Sequence, residues 1–194
     1  MSAPVTRRAV ILDRDGTIVV DHGYLDDPAK LSLLPGAAEG LRALHEHGHP
    51  LIIVSNQTGV GRGRVTLARL TEINELLGRM LAAAGAPLDG IYCCPHAPEE
   101  GCACRKPNTG LVLEAAAALG FDPHACVVIG DKSSDVELGR RLQGTSMLVS
   151  ADGRASDGAW IEPDYVIRDL TEAARIIRTL GHGTRAARPT DLPA

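Results

Sequence analysis

Ala9-Val10-Ile11-Leu12-Asp13-Arg14-Asp15-Gly16-Thr17 is an apolar run that stops abruptly at two acids one residue apart. A short apolar run without alternation reads as a strand covered on both faces, as in a parallel sheet. The pattern returns at Leu51–Val54, which stops at Ser55, and at Ile91–Cys93, which enters a cysteine segment. It returns again at Cys126–Ile129, which stops at Gly130-Asp131, and then at Thr145–Val149 and Tyr165–Ile167. Helical patterns lie between these runs. One starts after Pro35-Gly36, with Leu41 and Leu44 inward, and stops at Gly48. Leu67, Leu70, Ile73, Leu77 and Met80-Leu81 form an apolar stripe that stops at Gly85, and Leu111–Leu119 stops at Gly120. Ser134 with Glu137 reads as a capping box, and Asp169 with Glu172 caps a last helix through Ala173 and Ile177 to Leu180. The alternation predicts an α/β fold: a doubly wound parallel sheet between two helix layers, three layers in all. In such sheets ligands sit beyond the carboxyl ends of the strands.

Size and composition bound the rest. A chain of 194 residues, 44% hydrophobic and 23% charged, is expected to close one domain over residues 1–181, with 182–194 as a Gly-, Arg- and Pro-rich tail. The net charge of −4 offers no basic face, and 3% aromatics offer no stacking platform, so a nucleic-acid role is not expected. No apolar run spans a bilayer and no secretory h-region is present, so a cytoplasmic location without membrane contact is expected. No exposed apolar stripe calls for a partner, and a monomer is expected.

The strand ends carry the chemistry. At Asp13-Arg14-Asp15-Gly16-Thr17 one carboxylate can attack phosphorus while the other moves a proton. Asp131, after the fourth strand, can join Asp13 in holding a hard cation such as Mg²⁺. The Ser55 hydroxyl suits a phosphoryl oxygen, and the Lys106 ammonium can neutralise a transferred phosphoryl group. Each of these alone is an ordinary turn, helix start or surface lysine. Together, in this order, they resemble the haloacid dehalogenase superfamily of aspartate-nucleophile phosphatases, over roughly Val10 to Leu180. The resemblance implies a Rossmann-like fold. It makes Asp13 the nucleophile and Asp15 the general acid/base. Ser55 and Lys106 become phosphoryl holders. Mg²⁺ is expected on Asp13, Asp131 and the backbone carbonyl of Asp15, with Asp135 orienting Lys106 or supporting the metal site.

Cys94-Pro95-His96 and Cys102-Ala103-Cys104 offer three thiolates and one imidazole, the donor set of a closed structural Zn²⁺ site. The segment leads straight into Arg105-Lys106, so a metal over 94–104 would set the height of that pair. Free buried cysteines or redox pairing are the other readings. Cys93 and Cys126 are expected to face the core, and His45, His47 and His49 to form a solvated helix end. Neither Asp15–Pro35 nor Ser55–Lys106 has room for a folded cap, so the site is expected to be capless. The loops around His22–Asp27, Thr58–Arg64 and Pro95–Arg105 would shape it.

The cysteine loop resembles two related families, the D-glycero-D-manno-heptose-1,7-bisphosphate 7-phosphatases and the histidinol-phosphate phosphatase domains. Asp21-His22-Gly23-Tyr24 and Ser55-Asn56-Gln57-Thr58-Gly59-Val60-Gly61-Arg62-Gly63 look like the heptose family. A phosphorylated sugar is then the expected substrate, with Asn56 and Gln57 on its hydroxyls and Arg62 and Arg105 on a distal phosphate. The chain departs from the pattern in a short metal loop and in Val60-Gly61. Histidinol phosphate stays open because Asp21, Asp26 and Asp27 suit an amine. A phosphosugar-binding protein without turnover is the alternative of another class.

Overall fold

A computed structural model describes residues 8–180; the expected tail at 182–194 lies outside them. The strands are β1 (Val10–Leu12), β2 (Leu51–Asn56), β3 (Gly90–Cys94), β4 (Val127–Gly130), β5 (Thr145–Val149) and β6 (Tyr165–Ile167). The helices are α1 (Ala37–Glu46), α2 (Thr58–Gly61), α3 (Leu67–Ala83), α4 (Gly110–Leu119), α5 (Ser133–Arg141) and α6 (Leu170–Thr179). The six strands form one sheet in the order β3-β2-β1-β4-β5-β6, and every ladder is parallel. That order reverses direction at β1, so the crevice for a ligand opens beside β1, between β2 and β4.

The unbroken apolar runs have a direct cause. Val10 and Leu12 pack on one face with Leu41, Leu44, Ile73, Leu77 and Ile177, while Ile11 packs on the other with Val112, Ala115, Leu138 and Leu142. Both faces are covered, so the runs in β1, β2 and β4 are apolar without alternation. Pairing sets Val10 against both Leu51 and Val127, which brings the ends of β1, β2 and β4 to one level. Asp13, Ser55-Asn56 and Asp131 therefore come out on one edge.

Several expectations change in detail. Helix α5 begins at Ser133 rather than being capped by Ser134 and Glu137; the carboxylate that reaches back is Asp135, which accepts from the Lys132 N–H at 3.1 Å. Leu67, the first residue of α3 after the Thr66 cap, leaves the apolar stripe and is 60% exposed. Cys94, not Cys93, takes the core position at the end of β3. Strand alternation turns Cys93 the other way, where its half-buried thiol accepts from the Asn74 amide. The loop after Ser55 contains the short helix α2, which the sequence pattern did not reveal. Cys126 is buried as expected, and His45 and His47 are exposed at the end of α1. No described helix is long and apolar enough to cross a membrane.

Helices α1 and α6 touch at backbone distance. A Cβ added at Gly40 would fall 2.3 Å from the Leu170 carbonyl carbon. Gly78 in α3 has nothing within 4 Å of the same position. Helix propensity alone predicts that alanine helps at both sites, by up to ~1 kcal/mol. Packing reverses the sign at the first: Gly40→Ala is expected to lose about 1–3 kcal/mol, while Gly78→Ala gains. Urea midpoints of the two variants, at unchanged slope, check the pair.

Candidate active site

Asp13 ends β1 with its carboxylate 5% exposed and its N–H bonded to the Ile129 carbonyl. The Lys106 ammonium lies 2.8 Å from one Asp13 oxygen and 2.7 Å from an Asp135 oxygen, all three side chains being buried. Burial works against charge on Lys106, but the two carboxylates outweigh it and hold the lysine protonated above its usual range. Burial likewise opposes charge on Asp13, yet Lys106 and Lys132 hold that carboxylate below the ordinary range. Asp135 moves the other way, up to about 6, because burial and the Asp13 charge exceed the help from Lys106.

Asn56 puts Lys106 in this place. Its amide nitrogen donates to the Lys106 carbonyl at 3.1 Å, and its amide oxygen accepts from the Lys106 N–H at 2.9 Å. The peptide from Lys106 to Pro107 is cis. Asn56 was expected on a sugar hydroxyl; in the structure its amide brackets the Lys106 peptide and joins the end of β2 to the loop before α4.

Asp131 sits against the turn at Gly16, where φ is +85° and a Cβ would fall 2.4 Å from an Asp131 oxygen. Only glycine fits both demands. The Ser156 hydroxyl donates to Asp131 Oδ2, while Asp131 Oδ1 is buried with no hydrogen-bond partner among the described residues. Oxygens of Asp13, Asp131 and Asp135 lie within 4.8 Å of one another. Crowded carboxylates with an unpartnered oxygen fit a hard divalent cation, which takes oxygen ligands. Burial and the neighbouring Asp13 push Asp131 upward, despite the Ser156 bond.

Asp15 is held from behind. Arg14, 1% exposed, donates to both Asp15 oxygens, at 3.1 and 3.0 Å, and also to Asn74 and Gln57. Gln57 donates to Asp15 and to the Ser55 hydroxyl, each at 2.8 Å. Gln57, expected on the sugar, is thus engaged in a network joining Ser55, Asp15 and Arg14.

The cysteine segment folds back on itself. Cys94, Cys102 and Cys104 sulfurs lie 3.3–3.5 Å apart, and His96 Nδ1 is 3.2 Å from Cys104 and 3.6 Å from Cys94. Zinc–sulfur bonds of about 2.3 Å set the sulfurs of a tetrahedron about 3.8 Å apart, so the four donors fit one tetrahedral ion. This loop packs on α2: a Cβ at Gly61 would fall 2.5 Å from the Ala97 nitrogen. Arg105 donates to Thr58 and to the His96 carbonyl, which ties the loop to the cleft.

A cleft of about 640 Å³ opens over these groups, lined by Asp13, Asp15, Ser55, Gln57, Arg62, Arg105 and Lys106. Arg62 donates to the Tyr24 hydroxyl at 3.2 Å and lies 4.0 Å from Glu99. Sequence reasoning missed Arg14, Lys132 and Ser156. Arg14 and Lys132 each stand beside an acid and carry no spacing signal of their own, and Ser156 belongs to no motif. Removing both Asn56 hydrogen bonds in Asn56→Ala is expected to cost about 1–2 kcal/mol, read as a lower urea midpoint.

A family model described as HAD-hydrolase-like matches residues 103–173. A D-glycero-beta-D-manno-heptose-1,7-bisphosphate 7-phosphatase of Pasteurella multocida is 32% identical over 182 residues, covering 90% of this chain and 98% of the relative. The protein of that name from Escherichia coli K12 is 35% identical, over 88% of this chain and 93% of its own. The crystal structure of a D,D-heptose 1,7-bisphosphate phosphatase from B. bronchiseptica, complexed with magnesium and phosphate, superposes with a TM-score of 0.79 at 29% identity. That match covers 88% of this chain and 98% of the other. The fold, the strand-end acids and these relatives agree: the chain belongs to the D-glycero-beta-D-manno-heptose-1,7-bisphosphate 7-phosphatase family of haloacid-dehalogenase-like hydrolases.

Proposed function

We propose that this chain is a Mg²⁺-dependent phosphatase that removes the 7-phosphate of D-glycero-D-manno-heptose 1,7-bisphosphate, leaving the heptose 1-phosphate. The relatives' names specify the β anomer, which supports that anomer as the substrate. One observation carries the reading. A buried carboxylate, Asp13, is kept ionised by Lys106 at the floor of an open cleft, with a second carboxylate two residues on.

The chemistry divides among the residues. Asp13 attacks phosphorus and forms an aspartyl-phosphate as the bond to the sugar oxygen breaks. Asp15 gives a proton to that leaving oxygen, then takes one from the water that attacks the phosphoenzyme. In the structure Arg14 and Gln57 donate to both Asp15 oxygens, so Asp15 turns one oxygen away from them and into the cleft to carry the proton. The Ser55 hydroxyl and the Lys106 ammonium hold the phosphoryl oxygens. Asp13, Asp131 and the Asp15 backbone carbonyl are the residues that would hold Mg²⁺, whose charge offsets repulsion between phosphate and carboxylates. Arg62 and Arg105 line the outer cleft, where forked donors suit the phosphate that stays behind. Asn56 is assigned to positioning Lys106.

Cys94, His96, Cys102 and Cys104 are assigned to a structural Zn²⁺. Four protein donors leave no open position, so its part is mechanical: it holds the loop that carries Arg105 and leads into Lys106. Cys102→Ser is expected to copurify with much less than one zinc per chain and to melt at a lower temperature. Zinc retained at full stoichiometry would reject this ligand set.

Phosphate release with Mg²⁺ is the direct test, on heptose 1,7-bisphosphate and histidinol phosphate side by side. A large kcat/KM preference for the bisphosphate is expected, and Asp13→Asn should give no release above background with an unchanged circular dichroism spectrum. Preference for histidinol phosphate would overturn the substrate assignment alone. Binding of the bisphosphate without release of phosphate would favour the non-catalytic alternative.

A further inference from the structure

We infer that Ser156 is a positioning residue for the divalent cation, fixing Asp131 so that one carboxylate oxygen stays free to face the site. The inference rests on the reading of Asp131 as a cation ligand. Ser156 stands 25 residues beyond Asp131, in the loop between β5 and β6. It binds Asp131 twice: its hydroxyl donates to Oδ2, and its N–H donates to the Asp131 carbonyl at 2.8 Å.

The loop is fastened on both sides of the serine. Ala155 is 4% exposed and packs with Val136 of α5 and Leu148 of β5. Asp157 accepts from the Ser133 N–H at 3.1 Å and from the Ser133 hydroxyl at 2.6 Å, at the start of α5. Ser156 is therefore held between two anchors on the helix that follows Asp131.

A carboxylate on a strand end can rotate about its last bond and exchange its two oxygens. A donor fixed on one oxygen decides which of them points away. Here Oδ2 is taken, and Oδ1 is buried without a partner among the described residues. Lys132 is too far to do this alone, at 3.7 Å from Oδ2, and it is shared with Asp21 at 3.3 Å. Such outer partners of metal-binding carboxylates typically carry about 10–100-fold in metal affinity.

The test separates affinity from chemistry. Mn²⁺ is titrated into the purified protein without substrate, with free Mn²⁺ counted by electron paramagnetic resonance, and phosphate release is followed against Mg²⁺ concentration. Ser156→Ala is expected to weaken Mn²⁺ by at least about 10-fold and to raise the half-saturating Mg²⁺ by a similar factor, with kcat at saturating Mg²⁺ close to wild type. Ser156→Thr, which keeps the hydroxyl, should restore both affinities. If the alanine variant does not fold, Ser156→Cys, a near-isostere with a weak donor, is read in its place. Asp131→Asn is the reference. Unchanged Mn²⁺ affinity at position 156, with affinity lost in Asp131→Asn, overturns the role of Ser156 and leaves Asp131 as ligand. Unchanged affinity in Asp131→Asn as well overturns the cation reading beneath it. A threonine variant as weak as alanine, with both melting like wild type in Mg²⁺-free buffer, also counts against the inference.

Discussion

The buried ion pair of Lys106 with Asp13 and Asp135 is the constraint that the rest of the site answers to. Its three members come from the end of β1, the loop before α4 and the first turn of α5. An ammonium and carboxylates taken out of water cost several kcal/mol each by order of magnitude, and that cost is met only if the groups meet at hydrogen-bond distance. The fold supplies this through backbone placement rather than side-chain reach. Parallel pairing levels the ends of β1, β2 and β4, and the Asn56 amide fixes the Lys106 peptide itself. The cluster is still short of positive charge: Asp131 adds a further carboxylate within the same 4.8 Å. That imbalance suits a divalent cation, as the proposed function requires.

The metal loop and the cleft wall form a second tier. Gly61 lets α2 lie against the Ala97 backbone, and Arg105 bonds across to Thr58 and His96. The part of the cleft that would read the substrate is thereby built from segments without a core of their own. Tyr24 and Arg62 complete it from two separate segments, and Glu99 lies 4.0 Å from Arg62. Division of labour follows: the strand ends, together with Lys106 from the loop before α4, hold the groups assigned to the reaction, and the remaining loops hold the groups assigned to recognition.

Much of this was legible in the sequence because it is local. Apolar runs bounded by acids marked the strands to within a residue or two, and the strand-end rule directed attention to Asp13, Ser55 and Asp131. The cysteine spacing drew together Cys94, His96, Cys102 and Cys104, which the fold does place in one cluster. What escaped was the pairing of distant side chains. Nothing near Asn56 announces that its amide will be taken by a peptide 50 residues on. An arginine between two acids gives no sign of burial, yet Arg14 is fully buried, and its partners include a residue of α3. Asp135 read as a helper of Lys106 but not as the cap of α5, because one carboxylate serves both the helix end and the ammonium. Such double use leaves no trace in spacing.

The backbone contact of Gly40 with Leu170 bears on how the molecule is made. Helix α1 is among the first elements to leave the ribosome, and its partner α6 is the last that the structure describes. Leu170 is added 130 residues after Gly40. At ~5–20 residues per second that is about 6–26 s during which the groove of α1 has no helix to fill it. The early chain can lay down β1 and β2 side by side, but β4, the other neighbour of β1, is also still to come. The nascent half-sheet therefore waits with apolar surface uncovered, and the burden of that interval falls on whatever shields an emerging chain in the cell.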